Sequence, residues 1–236
     1  MTRGMILDIA TRVEVPRRGG AERQYRSPVR SLVCEGIVAF AMLEFELDEE
    51  GLCSSFSLES MDRRMAGESA VVVKAERKLA ALLKNEGALI MYHGRRDLAA
   101  LRLAALRHFH FSIGGAVNWL IDAQGRYFDL VTMLASGTGE EDEFSDLVAR
   151  FGGGLKSPQT MPVGPVRRER VTAEVNVVQA MMVYLHLLAE IRRSFQPLSH
   201  GMMALTDFIS SRSSSSPHLV QLLETEVFKT FDTIPF

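Results

Sequence analysis

The change in hydrophobic periodicity along the chain is the feature that most limits its fold. Near the N-terminus the apolar residues come in runs typical of strands, at 5–9, 32–47 and 52–58. From residue 70 they recur at helical spacing, interrupted by one more short apolar run at 88–92. A strand, a hairpin, a helix, a strand and then helices favour an α/β fold whose mixed central sheet is flanked by helices.

Turns and loops divide these runs into predicted elements of one domain. The turn Asp48–Gly51 joins two of the strand runs and indicates a hairpin. Ser216 is the predicted N-cap of the last helix, because it precedes Pro217 at the first helical position. No linker separates two complete cores, so residues 1–236 are expected to form a single domain. We predict helices over 70–85, 97–107, part of 126–134, 140–151, 171–195, 199–209 and 217–231, with loops at 14–30 and 158–165.

Composition excludes several classes of protein. Hydrophobic residues make up 47% of the 236 residues, which is enough for a core and excludes a disordered chain. The 27 Lys and Arg against 29 Asp and Glu leave a net charge of -2, which excludes a uniformly basic nucleic-acid binder but not a local basic groove. Cys34 and Cys53 are too few for a disulfide framework or a four-cysteine zinc site.

No apolar segment has the length that a membrane span needs, which is about 20 residues. The most apolar segment, Val171–Leu188, is interrupted by Glu174, Asn176, Gln179 and His186, which favours a buried helix. The apolar start of the chain is too short for a signal-peptide core. With so few cysteines, we expect a cytoplasmic protein without a membrane partner.

Several widespread catalytic and cofactor motifs do not occur. No G-x-G-x-x-G follows a strand and no G-x-S-x-G is present, so dinucleotide binding and serine-hydrolase chemistry have no support. Gly152–Ser157 resembles a phosphate loop only superficially, because the glycine before Lys156 is missing. His93, His108 and His110 lack a carboxylate at ligand spacing, which favours ordinary histidines at helix ends over a metal site.

Two aspartates lie at the ends of predicted elements. Asp8 ends the first strand run, and Asp97 starts the helix that follows the run at 88–92. On the residues alone, two interpretations stay open. The pair is either functional, or it consists of a strand-end carboxylate and a carboxylate that stabilises a helix N-terminus.

The segments around both aspartates resemble motifs of the DEDD 3'-5' exonuclease superfamily. Ile6–Thr11 is similar to the strand ending in Asp-x-Glu-Thr that forms the first motif. Leu89–Leu101 resembles the second motif, a strand followed by Asn-Gly-x-x-Phe-Asp-x-x-x-Leu, with His93 at the asparagine and Arg96 at the phenylalanine.

Three further segments extend the resemblance over nearly the whole chain, in the same order. Thr172–Val178 resembles the third motif, Tyr-x-x-x-Asp-Val at the start of a long helix. Tyr127–Leu130 and Leu147–Lys156 resemble the Asp-Leu helix and the Leu-x-x-x-x-Gly segment that precede it. The similarity is closest to the branch that includes the proofreading domain of family-B DNA polymerases, and it implies a ribonuclease-H-like fold.

The resemblance also implies a reaction and shows what is missing for it. The family hydrolyses phosphodiesters with two metal ions, Mg²⁺ or Mn²⁺, held by four carboxylates. Asp8 and Asp97 match two of these and are the implied catalytic and metal-ligating residues. The glutamate position holds Ala10, the last aspartate position holds Asn176, and the tyrosine position holds Thr172. Two anionic ligands fewer should weaken metal binding strongly.

Two neighbouring glutamates are candidates to replace the missing ligands. Glu174 lies two residues before Asn176, which is about 200° around a helix, so it should face away. Glu14 lies in the arginine-rich loop beyond the first strand, where nothing fixes its position.

Basic residues near the second and third motifs are candidates for phosphate contacts. His93, Arg95 and Arg96 adjoin the second motif and are the predicted nucleic-acid-binding residues. Ordinary solvated arginines on loops are the alternative interpretation. The other arginines in question are Arg17, Arg18, Arg23, Arg26 and Arg30 in one loop, and Arg167, Arg168 and Arg170 before the third motif.

The expected function is that of a degenerate 3'-5' exonuclease-like protein, a pseudoenzyme impaired in catalysis. It would bind nucleic acid, single-stranded in particular, or a protein partner through the former active-site cleft. One alternative is an active metal-dependent exonuclease that acts on single-stranded DNA or RNA ends with an unusual ligand set. Another is a binding module that uses the same scaffold for a ligand other than nucleic acid.

Overall fold

A computed structural model describes residues 2–13, 35–110, 126–135, 148 and 165–233. Several sequence predictions lie outside these residues: the arginines of the loop 14–30, Glu14, Cys34, the segment 152–157, and the helix 140–151 except for Val148.

The protein is built on a five-stranded mixed sheet with the order β3-β2-β1-β4-β5. β2 pairs antiparallel with both β1 and β3, whereas β4 is parallel to β1 and β5 is parallel to β4. The predicted α/β fold with a mixed sheet flanked by helices is confirmed. The strands are β1 (Thr2–Val13), β2 (Glu35–Leu47), β3 (Cys53–Asp62), β4 (Ala88–Met91) and β5 (Tyr127–Asp129).

Helices cover both faces of the sheet, because the strands present apolar side chains alternately to two cores. Met5, Leu7 and Ile9 pack against α1 and α2, whereas Ile6 belongs to the second core, which is built around α4. The helices are α1 (Arg63–Lys84), α2 (Gly94–Arg107), α3 (Leu130–Ala135), α4 (Pro165–Arg192), α5 (Gln196–Ser211), α6 (Pro217–Val220) and α7 (Glu226–Thr233). A 3₁₀ turn, Gln221–Glu224, links α6 to α7.

α4 is the helix that organises the second core. It contacts β1, β2 and β3 on one side and α5 and α6 on another. Among the described residues, one helical stretch, Arg168–Arg192, is long and apolar enough to cross a membrane, but 83% of its most apolar window is buried inside the protein. The burial is that of a core helix, as the sequence predicts.

Four helices begin earlier than predicted: α2 and α5 by three residues, and α1 and α4 by six or more. α1 starts at Arg63 rather than at 70, because the Asp62 side chain accepts hydrogen bonds from the N–H groups of Arg64 and Met65. The helix axis breaks at Gly67, whose φ of 78° is costly for a residue with a side chain. α4 starts at Pro165, where a proline needs no N–H donor.

The helix predicted within 126–134 is confirmed as α3, Leu130–Ala135, whereas the segment 217–231 differs from the predicted helix. Tyr127–Asp129 first forms β5, a strand of three residues whose pairing with β4 no local pattern encodes. The last predicted helix is broken after the 3₁₀ turn by Thr225, whose ψ of 155° is extended. Ser216 occupies the predicted N-cap position, but its buried side chain makes no capping hydrogen bond.

Candidate functional site

The carboxyl ends of β1 and β4 lie side by side and bring Asp8 close to Asp97. β1 and β4 are parallel and pair as far as Ile6 with Ile90, so Asp8 lies level with the end of β4. α2 begins there at Gly94, and its first turn directs Asp97 back towards β1. The Asp97 carboxylate accepts a hydrogen bond from the backbone N–H of Ile9.

α4 adds Asn176 to this pair from the other layer. The Asn176 side chain donates a hydrogen bond from Nδ2 to Oδ2 of Asp8, across 3.3 Å. Thr172 lies one turn earlier on α4 and is likewise half-buried. Ala10 lies two residues after Asp8, so it points to the same face of β1. Asp8, Asp97 and Asn176, which are far apart in sequence, therefore lie together at the carboxyl end of β1. Ala10 on β1 and Thr172 on α4 are on the neighbouring parts of the same two elements.

The two aspartates lie in an environment that disfavours their charged forms. Burial raises the pKa of Asp8 to about 7, and the hydrogen bond from Asn176 offsets only part of the rise. Burial also holds the pKa of Asp97 well above its usual range, and the charge of Asp8 raises it further. The N–H of Ile9 and the charge of Arg96 oppose this rise. Burial and the repulsion from Asp8 therefore both act against simultaneous ionisation of the two aspartates.

Asp129 is a residue of this site that the sequence reasoning did not single out. It ends β5 and is buried. Its Oδ2 accepts hydrogen bonds from the N–H of Arg95, at 3.3 Å, and from the hydroxyl of Tyr127, at 3.2 Å. Its Oδ1 accepts the N–H of Thr132 at 3.1 Å. One carboxylate thus caps the first turns of both α2 and α3, and an aspartate directly before a helical run was the available signal.

The first turn of α2 presents the predicted nucleic-acid-binding residues on the surface. His93, Arg95 and Arg96 are all exposed there. His93 occupies the N-cap position without a capping hydrogen bond from its side chain, and its ring packs edge-on against Tyr92, with centroids 4.4 Å apart. The positive end of the α2 dipole favours an anion nearby, and the arginines add positive charge, whereas the N–H groups of Arg95 and Arg96 are already bonded to Asp129 and to the His93 carbonyl.

Further arginines lie at the same end of the sheet. Arg12 is exposed near the end of β1, and Arg64 is exposed in the first turn of α1. The start of α4 adjoins this turn, because Nη1 of Arg170 lies 3.5 Å from Sδ of Met65. Arg168 is exposed two residues before Arg170 on α4, and the Arg167 side chain lies outside the described set. These arginines lie on elements that begin or end at the same end of the sheet as the carboxylates.

Glu174 points away from Asn176, as its spacing predicts, but into the interior. Its Oε1 accepts a hydrogen bond from the hydroxyl of Ser60, and its Oε2 lies 2.7 Å from Nε2 of His218. Burial alone would raise the pKa of Glu174, but the contacts with His218, Ser60 and Arg170 bring it below its usual value. Because it is charged and fully engaged, Glu174 cannot replace the missing ligand.

The remaining histidines that the sequence brought forward have local partners. Nε2 of His108 lies 2.8 Å from Oε2 of Glu68, and Nε2 of His110 lies 3.1 Å from the hydroxyl of Ser69. Both contacts join the end of α2 to α1. They are those of ordinary histidines at a helix end.

The donor chemistry of the site does not fit a two-metal centre. Ala10 offers no oxygen, and Asn176 directs an N–H donor at Asp8. Within the residues that the structure covers, no three His, Cys, Asp or Glu side chains converge in an arrangement that could hold a metal ion. Of the four carboxylate positions that the resemblance implies, Asp8 and Asp97 supply a carboxylate, and Ala10 and Asn176 do not.

The chain matches no model of a known protein family, and a search of curated proteins gives no match either. Its function is therefore inferred from the sequence motifs and from the geometry and charge of the site.

Proposed function

We propose that this protein is a degenerate member of the DEDD 3'-5' exonuclease superfamily that binds single-stranded nucleic acid through its former active-site cleft. The observation that carries the proposal is the meeting of Asp8, Asp97 and Asn176, one from each motif, at the carboxyl end of β1. The strand order β3-β2-β1-β4-β5 is compatible with the ribonuclease-H-like fold that the resemblance implies.

Loss of catalytic capacity follows from the chemistry of the replaced positions. Two-metal hydrolysis needs anionic oxygens on both sides of the scissile phosphate. Ala10 and Asn176 remove two of them, and Asn176 adds a hydrogen-bond donor instead. Thr172 lacks the phenol that the family places there to orient water. The site is left with fewer anionic charges than the resembled family has.

An anionic ligand fits what surrounds the cleft. Arg95 and Arg96 are exposed at the N-terminal end of α2, and Arg168 is exposed at the start of α4. Exposed arginines beside the positive end of a helix dipole favour the binding of a phosphate backbone. Protein partners remain the alternative class of ligand, and the binding experiment distinguishes the two.

The test is incubation of the full-length chain with labelled single-stranded DNA and RNA, with Mg²⁺ or Mn²⁺. We expect salt-sensitive binding without shortening of the strand. Replacing Arg95 and Arg96 together by alanine should weaken binding at least several-fold and reduce its dependence on salt. Arg102→Ala, on the same helix but in its third turn, is the matched control.

Two outcomes would contradict the proposal. Metal-dependent shortening that disappears in Asp8→Ala would identify an active exonuclease with an unusual ligand set. Absence of any salt-sensitive binding would favour a binding module that uses this scaffold for a protein or another ligand.

A further inference from the structure

The three carboxylates of the site already accept hydrogen bonds from the protein. Asp8 accepts one from the side-chain amide of Asn176, and Asp97 accepts one from the backbone N–H of Ile9. Asp129 accepts three, from two backbone N–H groups and one hydroxyl. These hydrogen bonds occupy part of the lone pairs of the carboxylates, and at Asp8 the neighbouring side chain presents a donor where the resembled family has a further carboxylate.

Asn176 is held in place by the helix that carries it. Its neighbours Val175 and Val177 are buried, and Glu174 is fixed by Ser60 and His218. The amide therefore reaches Asp8 from a rigid element, and its position does not depend on a mobile loop.

From this geometry we propose that the Asn176 amide takes the place of a divalent cation at Asp8, so that the cleft keeps its shape and binds its ligand without metal. The identity of the ligand rests on the proposed nucleic-acid-binding function. The replacement of a cation by the Asn176 amide is tested independently of that function. A single substitution, Asn176→Asp, reverses this replacement, because it removes the donor and adds a carboxylate next to those of Asp8 and Asp97.

The experiment measures the midpoint of thermal unfolding of the full chain with EDTA and with increasing MnCl₂, together with free Mn²⁺ by electron paramagnetic resonance. We expect no saturable Mn²⁺ response in the native protein. Asn176→Asp should melt at a lower temperature in EDTA and should gain about 5 °C or more when Mn²⁺ is about a hundred times its Kd. Adding Ala10→Glu to this variant should tighten Mn²⁺ binding further.

Matched variants separate this effect from nonspecific charge. Asn85→Asp makes the same substitution at the exposed end of α1 and should show no Mn²⁺ response. The exchange Asp8→Asn with Asn176→Asp restores a carboxylate–amide pair, and it should recover the thermal midpoint lost in Asn176→Asp alone. This double variant also keeps the test decisive if the single variant is too unstable to purify.

Three results would overturn the proposal. One is saturable Mn²⁺ binding by the native chain that Asp8→Asn abolishes. The second is an Asn176→Asp variant that responds to Mn²⁺ no more than Asn85→Asp does. The third is native oligonucleotide binding that EDTA removes. If the native chain binds no oligonucleotide at all, the proposed function fails, and the Mn²⁺ comparison still decides the role of Asn176.

Discussion

At the level of single residues, Asp8 lies where burial disfavours the ionised form of its side chain. Burial lifts its folded-state pKa from the ordinary 3.8 to about 7. Between these two values the folded state binds a proton that the unfolded state has released. The free energy of unfolding therefore falls as pH rises through this window, and it levels off above it.

Replacing Asp8 by asparagine removes the ionisation and keeps an oxygen that can accept the hydrogen bond from Asn176. We expect Asp8→Asn to raise the free energy of unfolding by about 1–3 kcal/mol at pH 8, a value that allows for the partial exposure of the side chain, and by little at pH 4. Denaturant unfolding at both pH values measures the difference. Asp207→Asn, at an exposed position on α5, is the control. A gain in Asp8→Asn that does not depend on pH would contradict this explanation.

The pH dependence of stability has the opposite sign at Glu174, a carboxylate that links α4 to β3 and α6. The pKa of Glu174 is lowered from 4.5 despite its burial, because His218 and Ser60 stabilise the charged form. Its contribution to stability is thus present above the unfolded-state pKa and is lost as pH falls through the folded-state value.

At the level of elements, Glu174→Gln should loosen the attachment of α6 to α4. It leaves His218 without its carboxylate partner, and we expect a loss of about 2–4 kcal/mol at pH 7 that shrinks below pH 4.5. Unfolding by urea measures the loss, and amide hydrogen exchange over 217–220 should locate it. Glu190→Gln, at an exposed position near the end of α4, should change neither.

Asp129 offers a second prediction at this level, because it caps two helices at once. Asp129→Ala removes the acceptor for the N–H groups of Arg95 and Thr132 and should cost about 2–3 kcal/mol. Asp129→Asn keeps one acceptor oxygen and should cost less. Faster amide exchange at the starts of both α2 and α3 is the expected signature, and a change confined to α3 would argue against the double cap.

The elements that local patterns predicted are those whose boundaries depend on local chemistry. The hairpin of β2 and β3 and the cores of α1, α2, α4 and α5 follow from apolar periodicity, which burial on one face imposes. β5 was missed because a three-residue strand exists only through its pairing with β4. α1 was predicted to start too late. Its N-cap, Asp62, is also the last residue of β3, so no loop between strand and helix marks the start of the helix. Asp129 was missed for a related reason, since one of the helices it caps, α2, lies 34 residues away.

For the whole molecule, the net charge of -2 conceals charges of both signs at both ends of the sheet. Arg95, Arg96 and Arg168 are exposed at the carboxyl end of β1. The turn between β2 and β3, which includes Glu49 and Glu50, lies beside the first residue of β1, and Arg192 lies close to Gly51 of this turn. An anionic ligand that contacts the exposed arginines should therefore bind at the carboxyl end of β1.

The position of the exposed arginines predicts where a bound oligonucleotide will protect the backbone. We expect slower amide hydrogen exchange over 93–97 and 168–172 on addition of single-stranded DNA or RNA, and no change over 48–52. Raising the salt concentration should abolish the protection, because phosphate contacts release counterions. The Arg95→Ala and Arg96→Ala double variant should lose protection over 93–97, whereas Arg102→Ala should keep it. Protection centred on the acidic turn would place the ligand at the wrong end of the sheet and would show that the exposed arginines do not select it.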